Sequence, residues 1–178
     1  MERVETGTGT APRESSEEAR SGAGLFASIA IGAIVADQAT KALIRAWLAE
    51  GETWPAGFEL IRLSHVENTG AAFGILQGAG PLLIVSSIVG VAVVLVLLYA
   101  APAGDRLYTA ALALVLGGAV GNLIDRVLRG EVTDFIDPTH YPAFNLADSS
   151  IVVGVIALIL LSLRPQPSDE TAAERGTE

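Results

Sequence analysis

The 178-residue chain has no cysteine and only two histidines, His65 and His140, far apart in sequence. A disulfide framework, a thiolate nucleophile and Cys-ligated zinc or iron-sulfur clusters are thereby excluded, and no His-rich metal site or cofactor is expected. Charge is scarce as well, at 17% of residues against the roughly 25% usual in soluble domains. Bases are scarcer than acids, 11 against 20, for a net charge of −9. Nucleic acid is a poor partner for such a chain, because phosphate binding needs clustered Lys and Arg. Hydrophobic residues make up 51%, and mean hydropathy is +0.49. These values describe a chain that keeps much of its surface out of water.

The charges that exist sit mostly outside the apolar stretches. Residues 1–22 and 165–178 are acidic and polar and are expected to be disordered tails. The body between them, 23–164, contains a run of 37 residues from Asn68 to Gly104 with no charge at all. A helix crosses a hydrocarbon core with about 20 apolar residues. Four spans are predicted, at about 24–48, 81–100, 107–128 and 147–163. The first resembles a signal peptide in outline, but its helical pattern continues through Lys41 and an uncleaved span is expected. Four spans place both tails on one side. A weak excess of arginine there makes that side the cytoplasm. The segments 49–80 and 129–146 then lie outside. Residues 58–66 (FELIRLSHV) followed by Asn68-Thr69-Gly70 predict a strand-containing cap, whereas 129–146 reads as a less regular loop. The fold class is therefore all-α membrane protein, four transmembrane helices with a small extracytoplasmic β element.

Ionisable residues inside a bilayer are expensive and turn toward the protein interior. Asp37, Lys41 and Arg45 stand at i, i+4 and i+8, one helical stripe on which Lys41 neutralises Asp37. Arg45 reads as an interfacial charge that orients the helix. On the third span Asn122, Asp125, Arg126 and Arg129 make one polar face, on which Arg126 is either a clamp on Asp125 or a fork for a carbonyl or carboxylate. The preceding Gly117…Gly121 step admits a close neighbour helix. Asp134 and Asp148 are returned to similar depth by topology, since the third span exits and the fourth enters on the same face. Two carboxylates in different environments are what an aspartic peptidase uses. The competing reading is that Asn145 and Asp148 form a capping box and Asp134 is an ordinary loop acid.

Four separated stretches carry a family resemblance: Asp37-Gln38 with Lys41; Asn68-Thr69-Gly70-Ala71-Ala72-Phe73; GGAVGNLIDRVLRGEVTDF from Gly117 to Phe135; and Phe144-Asn145-Leu146-Ala147-Asp148. In this order the chain resembles lipoprotein signal peptidase, or signal peptidase II, a bacterial inner-membrane aspartic peptidase. The resemblance implies a catalytic pair of Asp134 and Asp148, choosing Asp134 over Asp125 and Asp137. It implies supporting or substrate-binding roles for Asp37, Lys41, Asn68, Asn122, Arg126 and Asn145. It also implies four membrane helices with a small β cradle, no metal, and a diacylglyceryl prolipoprotein substrate cut just before its lipidated cysteine. Membrane lipid is then the other partner, a monomer is expected, and the site belongs at the extracytoplasmic surface. Two alternatives stand beside this reading. One is a non-enzymatic polytopic module such as a small transporter subunit; the other is a Ser-Lys peptidase built from Ser149 or Ser150 with Lys41.

Overall fold

The computed structural model describes residues 11–57, 60–70, 80–101 and 104–164. Four helices and three strands follow in the order α1 (Ala11–Trp47), β1 (Thr53–Trp54), β2 (Ile61–Asn68), α2 (Gly80–Tyr99), α3 (Arg106–Arg129), β3 (Val132–Pro138) and α4 (Leu146–Ser162). Three stretches are long and apolar enough to cross a membrane, Gly22–Trp47, Gly80–Tyr99 and Arg106–Arg129. The fourth helix is shorter, about 26 Å at 1.5 Å per residue, and equally apolar in character. Side chains such as Val85, Val89, Val93 and Val96 of α2 and Val152, Ile156 and Leu160 of α4 are exposed. In a bilayer such faces meet hydrocarbon.

The first helix begins at Ala11, earlier than the expected span and inside the segment expected to be a disordered tail. Once the apolar turns have nucleated a helix, each added residue gains a hydrogen bond without a new nucleation cost, and the Ala- and Glu-containing run upstream propagates it. Residues 1–10 and 165–178, the rest of the expected tails, lie outside the described residues, as do Ala71–Phe73 of the second motif.

α3 is the central helix and packs against each of the other three. Its glycines make this possible. A Cβ on Gly118 would collide with the Ala147 carbonyl of α4, and one on Gly121 would stand 2.8 Å from Asp37 Oδ2 of α1. The close approach predicted for the Gly117…Gly121 step thus serves α1, and Gly118 does the same for α4. Asp105 caps α3 by accepting from the Tyr108 amide at 3.0 Å, and Gly130 ends it in the left-handed conformation at φ 83°.

Both extramembrane connections, α1 to α2 and α3 to α4, lie at the same end of the bundle, and there they form one antiparallel sheet in the order β1-β2-β3. The segment 129–146 is therefore no irregular loop. It contains β3, paired to β2 with Val66 opposite Asp134, Glu67 opposite Thr133 and Asn68 opposite Val132. Its strand character was masked in sequence because Thr133, Asp134 and Asp137 break the apolar alternation, and the pairing partner lies more than 60 residues upstream.

Candidate active site

Where the sheet meets the ends of α1, α3 and α4, all eight residues singled out in the sequence converge. Asn68 stands at the end of β2, Asp134 in β3, Asn122 and Arg126 in the last turns of α3, and Asn145 and Asp148 at the start of α4. Asn68, Asn122, Arg126, Asp134 and Asp148 line a cleft of about 450 Å³. Asp37, Lys41 and Asn145 are buried behind it.

The two aspartates are linked through side-chain amides. Asn145 Nδ2 donates to Asp134 Oδ1 at 2.8 Å and to Asn122 Oδ1 at 3.1 Å, while Asn122 Nδ2 donates to Asp148 Oδ1 at 2.7 Å. Asn68 Nδ2 donates to the other oxygen of Asp134 at 2.9 Å. Its amide is oriented by the Gly70 N–H, which donates to Asn68 Oδ1 in a turn of the kind Asn favours. The capping box expected as the competing role is also present: Asp148 N donates to Asn145 Oδ1 at 2.9 Å, and Asn145 N to Asp148 Oδ2 at 3.2 Å. Capping and carboxylate positioning are thus the same set of bonds. They orient Asp148 relative to Asp134 as a consequence of starting the helix.

Behind the amides lies a charged cluster. Lys41 Nζ is 2.9 Å from Asp37 Oδ2, 2.8 Å from Asp125 Oδ2 and 2.9 Å from Asn122 Oδ1. Asp37 Oδ1 in turn accepts from the Ala147 N–H of α4 at 2.9 Å. One ammonium therefore ties α1 to α3 and, through Asp37, to the start of α4. The Asp37–Lys41 pairing expected from i, i+4 spacing is present. The clamp on Asp125 is Lys41, however, and not Arg126. Arg126 instead lines both the cleft and a second groove of about 350 Å³ between α2, α3 and α4, with its buried Nε unbonded among the described residues. Arg45 joins neither Asp37 nor Lys41 but donates to Thr133 Oγ1 at 2.8 Å.

Asp134 is 3% exposed, and this burial pushes its pKa up from 3.8 to about 6. The hydrogen bond from Asn68 opposes the rise, the Asp148 charge adds to it, and Asn145 and Lys41 oppose it. A carboxyl that keeps its proton until about pH 6 is suited to donate one. Among the described residues no group of three His, Asp or Glu side chains is placed to hold a metal ion.

Three residues of the site went unclaimed as site residues in the sequence. Asp125 carried a signal, an acid on a helix otherwise apolar for 18 residues. Gln38, which donates to Gly121 O at 3.1 Å and to Asp125 Oδ1 at 3.3 Å, was visible only as part of a motif. Glu67 accepts from Thr133 on the back of the sheet, a contact that depends on strand pairing.

Comparison with known proteins identifies the family. Residues 29–164 match the family described as signal peptidase (SPase) II. The chain belongs to that family. Among curated relatives, a lipoprotein signal peptidase of Shouchella clausii is 43% identical over 83% of this chain and 97% of its own length. One from Dehalococcoides mccartyi is 47% identical over 76% of this chain and 86% of its own. A solved structure described as a bacterial membrane enzyme superposes with a TM-score of 0.73 at 33% identity, covering 80% of this chain and 95% of that one. The chain is accordingly a bacterial multi-pass membrane peptidase of the signal peptidase II family. The transporter-subunit alternative is not favoured by any of these relatives.

Proposed function

We propose that this signal peptidase II family member cleaves diacylglyceryl-modified prolipoproteins just before the lipidated cysteine, with Asp134 and Asp148 as the catalytic pair. The observation that carries the reading is the amide relay, in which Asn145 and Asn122 hand one hydrogen bond to each carboxylate at the floor of one cleft. Below about pH 6 Asp134 carries the proton in the resting enzyme. Asp148 takes a proton from water, the water oxygen attacks the scissile carbonyl, and Asp134 donates to the carbonyl oxygen. The tetrahedral diol then collapses. Asp148 passes its proton to the leaving amine, Asp134 recovers one from the diol, and the products are a signal-peptide carboxylate and a free amino group on the cysteine.

The groove supports a lipid-bearing substrate. Leu83, Gly90, Val115, Ala119 and Ile151 line it, and the hydroxyls of Ser86 and Ser87 turn back to the Leu83 carbonyl at 2.9 and 2.8 Å, which leaves its wall apolar. It shares Asn122, Arg126, Asp148 and Ile151 with the cleft. An acyl chain in the groove therefore puts the attached peptide beside the carboxylates. Asn122, Asn145 and Lys41 act as supporting residues, Asp37 holds the start of α4, and Asn68 and Arg126 face the peptide. Among the described residues both carboxylates and the amides that link them come from one chain, which supports a monomer. The site lies at the extracytoplasmic surface, and both termini are cytoplasmic.

The Ser-Lys reading loses its parts. Ser149 and Ser150 donate to the carbonyls of Asn145 and Leu146, and the Lys41 ammonium is engaged by three acceptors. The deciding experiment incubates purified protein with a lipidated prolipoprotein and with its unlipidated precursor. Cleavage of the lipidated form alone, before the cysteine, is expected. Absence of cleavage, or equal cleavage of both, overturns the proposal.

A further inference from the structure

Glu67 of β2 borders the cleft, but its carboxylate belongs to a second polar cluster that the mechanism does not use. Glu67 and Thr133 are register partners on β2 and β3, and each immediately adjoins a cleft residue, Asn68 and Asp134 respectively. Successive strand residues face opposite ways, so the pair occupies the reverse face. Thr133 is buried and Glu67 half-buried, with the Glu67 side chain at 7% exposure. Thr133 Oγ1 donates toward Glu67 Oε1 and Oε2, each at 3.2 Å, and accepts from Arg45 Nη1 of α1 at 2.8 Å. His65 Nε2 lies 2.8 Å from Glu67 Oε1, and its Nδ1 lies 2.9 Å from the Leu48 carbonyl just beyond α1. Arg129 of α3 approaches the same carboxylate at 4.0 Å. Both ring nitrogens of His65 are thus within hydrogen-bond distance of an oxygen, one on α1's exit and one on Glu67.

We propose that Glu67 is a positioning residue for Asp134: with Thr133 and His65 it ties the reverse face of β2 and β3 to the end of α1, and so aims Asn68 and Asp134 into the cleft. Burying a carboxylate is costly unless it is paired and hydrogen-bonded, and breaking such a cluster is strongly destabilising. The cluster therefore holds the Glu67/Thr133 pair in one register at the end of the sheet where a slip of one residue would turn Asp134 out of the cleft. The Glu67 carboxylate is taken up by Thr133 and His65. It acts through the two neighbouring backbone positions.

This inference rests on the reading of Asp134 as one of the catalytic pair, and its test keeps the two separable. Thr133→Val removes the hydroxyl that joins Arg45 to Glu67 at nearly constant volume; Thr133→Ser restores it. In detergent-purified protein, Thr133→Val and Glu67→Ala are each expected to lower kcat about tenfold, equivalent to about 1.4 kcal/mol, with KM for the lipidated precursor little changed. Thr133→Ser is expected to return most of the rate. Because the Asn68 bond holds the Asp134 pKa down, loosening it should move the alkaline limb of kcat/KM to higher pH. The same shift is readable without turnover from the Asp134 carboxyl infrared band, assigned by its loss in Asp134→Asn. A Thr133→Val protein with wild-type kcat and an unmoved Asp134 titration overturns the inference, as does loss of yield with wild-type behaviour in the folded remainder. If Asp134→Asn still cleaves, the catalytic reading fails instead, and the infrared titration alone decides whether Glu67 positions Asp134.

Discussion

Lys41 Nζ donates to Asn122 Oδ1 at 2.9 Å, and this contact determines which way the Asn122 amide faces. A side-chain amide has one acceptor oxygen and one donor nitrogen. With the oxygen turned to the ammonium and to Asn145, the nitrogen is left for Asp148. The most deeply buried cation of the bundle therefore reaches the cleft through a neutral group, without itself entering it.

Asn122→Asp separates those two functions. The aspartate keeps an oxygen for Lys41 but presents a second carboxylate to Asp148 in place of a donor. A hydrogen bond to a charged group contributes about 1.5 to 3 kcal/mol, so cleavage should fall by at least about tenfold to a hundredfold while the protein still accumulates in the membrane. Wild-type turnover would show that the relay does not matter to Asp148.

Asp134→Asn and Asp148→Asn each remove a proton-transfer group without changing side-chain shape. Each should lower cleavage of the lipidated precursor by more than about a thousandfold, as for other residues that act as a unit. Immunoblots of membrane fractions should show near-normal amounts of both proteins. Substantial processing by either variant contradicts the two-aspartate mechanism.

The raised pKa of Asp134 carries a pH signature. The folded protein holds this proton up to about pH 6, the unfolded chain only to about 3.8. Over that window the folded state binds more protons, so the contribution of Asp134 to stability falls as pH rises from about 4 to about 6 and is constant above. Thermal unfolding of wild type and Asp134→Asn, compared across this range, should show a difference that changes only within it. On the same grounds kcat/KM should decline as pH rises through about 6, because free enzyme loses the donor proton. A flat profile between pH 5 and 8 would remove Asp134 from the acid role.

Arg126→Lys keeps the charge and loses the planar fork. Its Nε is unbonded among the described residues and the side chain lines both cleft and groove, which points to a contact made only with substrate. Processing should drop by about tenfold for each 1.4 kcal/mol lost, and chiefly in KM. A loss confined to kcat would instead make Arg126 a brace on the carboxylates.

The proposed orientation is testable because the chain has no native thiol. Single cysteines at Thr69, beside the cleft, and at Thr8 can be probed with an impermeant reagent on intact cells. Labelling at Thr69 and protection at Thr8 are expected, and the opposite pattern inverts the topology.

The four helices were legible in sequence, though not the start of α1 at Ala11, because crossing hydrocarbon imposes a length and an apolarity that appear directly as runs such as residues 81–100, and α2 is observed at Gly80–Tyr99. The residue types of the site were legible too, since Asp37, Lys41, Asn122 and Asp148 are conspicuous on otherwise apolar helices. Spacing also predicted the Asp37–Lys41 pair, which is local to one helical turn. Spacing did not distribute the cations. Whether Lys41 or Arg126 clamps Asp125 depends on how α1 rotates against α3, which is set by the absent side chain of Gly121. Nor did it reveal β3, because pairing Glu67 with Thr133 brings together residues that have no relation along the chain. Helix formation and membrane crossing are local or compositional requirements, written in consecutive residues. The hydrogen bonds that join Asp134, Asn145, Asn122 and Lys41 belong to four different elements, and only their packing decides which donor meets which acceptor.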